Sequence, residues 1–203
     1  EMVDIFTGLT YKKSDRNSPL KNTLAINDNI GKFDIYTIDL SVTYDSTNDS
    51  LYPTDGSLNS IFFEYSPKDI SDEGYYKLIL RSDTYSKFKN SNSFIFLSND
   101  IGIADSLENN LKTKYAYSLG GLNFKGFDYR GIGPKSDDIY LGGNKFFTST
   151  IGLGGSFLFD EKDNIRTKLF YSLGSLWDSD YSSQNKIDMR LSLIHISEPT
   201  RPY

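Results

Sequence analysis

Apolar and polar residues alternate with a period of two along most of this chain. Between residues 34 and 44 the even positions read Asp34, Tyr36, Ile38, Leu40, Val42 and Tyr44, and the odd ones Ile35, Thr37, Asp39, Ser41 and Thr43. Successive side chains of a strand point to opposite faces, so this pattern predicts a strand with one apolar and one mostly polar side. The pattern recurs over residues 147–159, where Phe147, Ile151, Leu153, Phe157 and Phe159 alternate with small or weakly polar neighbours. Residues 164–177 repeat it, with Ile165, Leu169, Tyr171, Leu173 and Trp177 opposite Arg166, Lys168, Ser172 and Gly174. Similar runs cover residues 2–12, 56–66, 74–88 and 93–104. The expected total is about seven strands, with an eighth starting near Lys186, and no segment carries helical periodicity over its length.

Two architectures fit such strands. In a soluble sandwich the apolar faces meet in a core; in a membrane barrel they meet lipid, and the polar faces line a wet lumen. Alternation alone does not separate the two. Strand lengths favour the barrel, because runs of about 11–15 residues exceed the usual ~5–6 of soluble strands and suffice to cross a bilayer at a tilt. Charged residues at mid-strand positions of the polar faces (Asp39, Lys77, Arg81, Asp83, Arg166, Lys168) point the same way. The connections also alternate between long and short, as they do when one side of a barrel carries short turns. The longest run over residues 12–32 and 106–143.

Composition sharpens this picture. The chain holds 15 Tyr and 14 Phe against one Trp and two Met; such rings suit strands and, for Tyr, a membrane interface. A net charge of −5 without a basic stripe speaks against nucleic acid as a partner. Cysteine is absent, which removes disulfides and cysteine-based metal sites. No apolar stretch is long enough for a transmembrane helix. Glu1 leads directly into strand-like sequence with no secretory leader, so either the chain is soluble or its beginning is missing.

The connection over residues 106–143 is too long for an ordinary turn. It interleaves glycines with aromatics: Gly120, Gly121, Phe124, Gly126, Phe127, Tyr129, Gly131, Gly133 and Pro134. Here the chain resembles the BamA superfamily of outer-membrane assembly and secretion proteins, also called the bacterial surface antigen superfamily. The stretch from Leu119 to Phe127, LGGLNFKGF, resembles the family's "GG…VRGF" loop motif. Ile132-Gly133-Pro134-Lys135 matches the "IGPK" that continues it, and Leu141-Gly142-Gly143-Asn144 resembles the "GGN" opening the next strand. Earlier, Tyr52 to Gly56 resembles a "PTDG" turn and Tyr75-Tyr76-Lys77 a "YYK". Later, Gly174 to Asp178 resembles "G-x-x-W-D". Each motif is weak alone; in order and at matching spacing across residues 33–178 they are specific.

The resemblance implies an all-β protein, an antiparallel transmembrane β-barrel of sixteen strands of which this chain holds about half. It implies no enzyme activity, no cofactor and no metal. The implied function is folding and insertion of β-barrel proteins into the outer membrane of a Gram-negative bacterium. Implied partners are nascent barrel proteins, accessory assembly lipoproteins, and outer-membrane lipid and lipopolysaccharide. A two-partner secretion pore of the same superfamily and a passive porin-like barrel are the alternatives; the IGPK and GGN continuations favour the assembly factor. In the family the long loop folds into the lumen, and its Arg meets acidic residues of the inner wall. Carried over, the loop motif is Phe124, Lys125, Gly126 and Phe127, with Gly120, Gly121, Gly133 and Pro134 continuing the loop. Lys125 keeps the charge of the family's Arg without its bidentate fork. The facing wall positions fall near Gly152 and Ser172, neither of them acidic. Lys125 is therefore expected to use backbone carbonyls, a hydroxyl such as Ser172, or a carboxylate such as Asp100 or Asp83, unless it is simply solvated. Gly126 is expected to need positive φ or close backbone approach. Phe124 and Phe127 are expected to anchor the loop by burial, and the Gly152–Gly155 stretch to thin the wall where the loop packs.

The end of the chain differs in character. Leu191 to Arg201 reads LSLIHISEPTR, which resembles a translated sequencing-library transposase adapter. Residues 1–190 are expected to form the partial barrel, and residues 191–203 no domain at all. The single histidine, His195, lies in that tail, so no Ser-His or Cys-His nucleophile is expected. Gly154-Gly155-Ser156 lacks the second glycine of a nucleophile elbow, and no Lys-Ser/Thr follows the Gly152–Gly155 stretch to make a phosphate loop. Asp137-Asp138 is a candidate cation site near lipopolysaccharide, outweighed by a solvated loop tip. The acidic turns 69–73 and 160–163 are expected to be solvated.

Overall fold

The computed structural model describes residues 2–16, 29–89, 91, 93–136, 138–155, 165–183 and 185–199. Asp137, Ser156, the turn 160–163, most of the 12–32 connection and residues 200–203 lie outside them.

Eight long strands form one antiparallel sheet in the order β1(Met2–Arg16), β2(Gly31–Asp45), β3(Gly56–Ser66), β4(Tyr75–Lys87), β5(Phe94–Ser106), β8(Lys145–Gly155), β9(Ile165–Trp177) and β10(Arg190–Pro199). A two-stranded hairpin, β6(Lys135–Ser136) and β7(Ile139–Tyr140), lies inside the long connection between β5 and β8. Each long strand pairs with the one before it along the sheet. Connections therefore leave alternate ends, and those after β1, β3, β5 and β9 share one end with the long loop. The sheet is open: among the described residues no ladder joins β1 to β10.

The polarity of the two faces is the reverse of a soluble protein's. Register places Val42, Ile61, Leu80, Ile101 and Phe147 in one row across five strands. That face looks outward: Ile101 is 42% exposed and Ile151 49%. The polar face is the covered one, with Thr37 at 2% and Ser172 at 4%. Sequence alternation is thus realised with the apolar side facing out and the hydroxyl-rich side facing in, as a barrel wall in lipid requires. A soluble sandwich would bury the other face.

The core lies between the inner face and the long loop. Ile35, Tyr75, Ala104, Phe146 and Leu176 of the wall pack against Leu111, Tyr117, Leu119, Phe124 and Ile132 of the loop. At the opposite end of the strands the wall fills its own interior: Tyr85, Phe94, Phe96 and Phe170 form a chain of rings with centroids 6.2–6.4 Å apart.

One expectation is corrected here. The eighth strand starts at Arg190, not near Lys186, and it consists of the adapter-like segment set aside above. It pairs with β9 from Arg190↔Gly174 to Pro199↔Ile165. The physical reason is that an open sheet edge pairs with any adjoining segment of suitable alternation. Here Leu191, Leu193 and His195 continue the outward rows of Leu173, Tyr171 and Leu169.

Candidate functional site: the loop against the inner wall

The long loop descends along the inner face in steps. At its base Leu111 donates its backbone N–H to Asp180 (2.6 Å), tying it to the β9–β10 connection. Tyr117 forms an antiparallel bridge with Gly143. Its hydroxyl lies 3.1 Å from the Leu78 carbonyl and 3.2 Å from that of Ile103, and its ring meets Phe146 edge-on at 4.8 Å. A second bridge, Leu119↔Ile132, closes the tip. Within the tip Asn123 accepts from the Gly120 N–H and donates to the Ser118 carbonyl, while Gly121 N–H donates to Phe127.

The tip motif sits as follows. Phe124 is buried at 3%. It lies over Gly174, with Thr148 beside it, and against Phe127 at 5.5 Å. Gly126 has φ +92°, and a Cβ there would stand 2.3 Å from the Ser192 hydroxyl of β10. Gly120 has φ +119°, and its Cβ would meet the Asp128 carbonyl at 2.1 Å. Both positions therefore need glycine for their positive φ, and Gly120 also for want of space beside the Asp128 carbonyl. Gly133 lies against Leu176, Pro134 is buried and accepts from Leu141 N–H, and Gly121 is half-buried.

The two wall positions expected to face the tip are on the inner face but do not carry the contact. Gly152 is covered by the Phe96 ring, the Phe170 Cβ and the Leu169 carbonyl of the wall itself. Ser172 shares a hydrogen bond with Thr150 at 2.8 Å. The ring lands nearer the loop end of the strands, one inward-facing row beyond Thr150–Ser172 and two beyond Gly152–Phe170, where Thr148 pairs with Gly174. Side-chain volume decides this: the row Gly152–Phe170 is already filled, whereas Gly174 leaves room for a ring.

Lys125 makes no ion pair among the described residues, and its expected partners are engaged elsewhere. Asp100 pairs with Arg81 at 2.7 Å, Asp83 accepts from Ser98, and Ser172 bonds Thr150. Each acid has a donor on the neighbouring strand, closer than a loop side chain.

The charged contact between loop and wall lies at the loop's base. Glu73, in the β3–β4 turn, is 7% exposed. Its carboxylate meets Lys112 at 2.5 Å and also pairs with Lys114, while the Tyr115 hydroxyl donates to it. Phe33 of β2 lies beneath both ammonium groups, at 3.9 and 4.4 Å from its ring centre. Tyr115 stacks on Tyr75 at 3.9 Å. Burial alone would raise the Glu73 pKa, but hydrogen bonds from Lys112, Lys114 and Tyr115 outweigh it and hold the carboxyl below its ordinary value. Burial lowers Lys114 to about 8, against the opposing pull of Glu73. The two ammoniums thus account for the lowering at Glu73, while at Lys114 burial, with Arg16 and Lys112 adding to it, prevails over the carboxylate. Glu73 thus departs from the expectation of a solvated acidic turn. The signal missed in the sequence was Lys112-x-Lys114 in the loop, paired with Glu73 in the turn two residues before Tyr75. Asp138, the described half of the candidate cation pair, is exposed at φ +65°.

Residues 5–197 match the Omp85 superfamily domain. Among solved structures the chain is similar to the crystal structure of BamA from Haemophilus ducreyi lacking POTRA domains 1-3, with a TM-score of 0.73 and 18% identity. The match covers 99% of this chain and 48% of that one, so the chain spans about half the length of that structure. At this identity the likeness is one of fold: an antiparallel all-β sheet as in that barrel.

Proposed function

The chain belongs to the Omp85 superfamily, and from that premise we propose that it is about half of the sixteen-stranded barrel of an outer-membrane protein assembly factor. One observation carries this reading: the apolar face of the sheet points outward while its polar face is covered by a motif-bearing loop. Outward apolar rows need lipid, and an inner face filled by a plugging loop is no open channel. The edges at β1 and at β9, the latter taken here by β10, are where the remaining strands would pair. Residues 191–203 are, in this reading, adapter-derived, and the described part of them, residues 191–199, lies along β9 where the next native strand would pair.

The proposed role is to fold and insert nascent β-barrel proteins into the outer membrane of a Gram-negative bacterium, without covalent chemistry, cofactor or nucleotide. An exposed strand edge at the barrel seam would template an incoming strand by β-augmentation. Accessory lipoproteins, lipid and lipopolysaccharide are the proposed further partners. The sheet is open, so the piece alone is expected to be inactive.

The test is reconstitution of the full-length protein in lipid vesicles with an urea-unfolded client barrel. Client folding, read as protease protection, should be faster than in empty vesicles. Unchanged client folding together with a large steady ion conductance would replace this reading with a porin or secretion pore.

A further inference from the structure

Three parts of the molecule were left without a role: the solvent-facing tip around Leu122 and Tyr129, the ring cluster Tyr85–Phe94–Phe96–Phe170, and the charged knot at Glu73. The last carries an inference. We propose that Glu73, gripping Lys112 and Lys114, is the positioning residue that holds the long loop inside the barrel, in place of a clasp at Lys125. The inference rests on the plugged-barrel reading above, but not on the assembly of clients.

Four observations support it. The tip cation has no acid: Lys125 is without an ion pair among the described residues, and Asp83 and Asp100 are engaged by Ser98 and Arg81. The base has the opposite arrangement, with a buried carboxylate contacted by three donors from one loop segment, Lys112, Lys114 and Tyr115. Glu73 is itself held rigidly, because its carbonyl accepts from the buried Ser66 hydroxyl at 2.7 Å and the next residue's carbonyl accepts from Leu107 N–H at 3.0 Å. Finally, the knot joins separate parts of the wall. Glu73 belongs to the β3–β4 turn, Phe33 to β2 and Tyr75 to β4, and all three touch the same short loop segment. A charge pair so enclosed is weak as a source of stability but strong as a specifier of position. Removing one partner strands the other in a desolvated site, so the loop has one favoured seat. The tip is then free to rely on shape, with Phe124 in the space above Gly174.

The experiment uses the full-length protein in its membrane, with Leu119→Cys as a reporter. Leu119 is 3% exposed, and the chain has no cysteine of its own. A membrane-impermeant maleimide reads loop release as labelling rate, and heat-modifiable gel mobility verifies that each barrel is folded. Glu73→Lys should speed labelling by about tenfold or more, as should Lys112→Glu with Lys114→Glu. The triple variant, which restores the pair with its signs exchanged, should return to slow labelling; a purely steric role for Glu73 gives no such rescue. Lys125→Ala should leave labelling unchanged. If Glu73→Lys does not fold, Lys112→Ala with Lys114→Ala asks the same question from the loop's side of the contact. Slow labelling in folded variants lacking the knot, or fast labelling in Lys125→Ala, overturns the proposal. Failure of client folding with the wild-type labelling pattern intact would count against the assembly function alone.

Discussion

Replacing Phe124 by alanine should loosen the loop tip without unfolding the barrel. The ring is 3% exposed, and the surface beneath it is Gly174, which has no side chain to close the gap. Phe→Ala in a dry core costs ~3–5 kcal/mol, of which part is the cavity left behind. Here the lumen supplies water to the vacated space, so the transfer contribution remains, ~2–3 kcal/mol. That raises the local opening constant roughly 30- to 150-fold, and labelling of Leu119→Cys should accelerate accordingly while the strands stay protected. The partner position gives a sharper test. A Cβ at Gly174 would stand 2.7 Å from the Phe124 ring and 3.1 Å from the Thr148 methyl. Gly174→Leu alone should therefore displace the ring and speed labelling. Combined with Phe124→Ala it should fill the space the ring left, so that the double variant is slower to label than either change predicts by addition. A coupling of about 1 kcal/mol or more in that direction is expected for side chains in contact. Strictly additive effects, or unchanged labelling in Phe124→Ala, would refute the ring-on-glycine anchor.

Two further outcomes follow from the same geometry. Ile101→Arg, in the middle of the outward row, should lower barrel stability in bilayers by about 2–4 kcal/mol in urea titrations, and a neutral effect would contradict a lipid-facing row. Loop anchoring should also weaken in acid. The folded Glu73 carboxyl titrates below its ordinary 4.5, so its contribution is complete above pH 4.5 and disappears as pH falls through the lower folded value. The groups facing it are Lys112, Lys114, Tyr115 and Tyr75, with Arg16 acting on Lys114 and Tyr115. Lys114, lowered to about 8, stays charged across pH 3–7, so hydrogen exchange of the loop amides over that range should show protection lost only at the acid end, and a flat profile in Glu73→Gln.

Much of the fold was legible from residue order because a strand's period is fixed by backbone geometry. The run at residues 56–66 coincides with β3, and the other runs fall within a few residues of β1, β2, β4, β5 and β9. The landing place of the loop was not legible. Gly152 and Gly174 are equivalent as letters, yet Phe96 and Phe170 close over the first and leave the second open. Glu73 read as one acid among several in a turn, since nothing local marks a carboxylate whose counter-ions lie about forty residues away. The adapter-like segment shows the converse limit: alternation was present at Leu191, Leu193 and His195, and an open edge gave it a partner.

By itself, then, the sequence determined the strands, their two-faced character and the loop that interrupts them, because dihedral geometry and spacing act over a few residues. Only the tertiary structure decided which face is outside, which glycine receives the ring, and which carboxylate meets the loop's cations. Those outcomes depend on volumes and charges brought together across five or more strands, where space already filled by one side chain is denied to another.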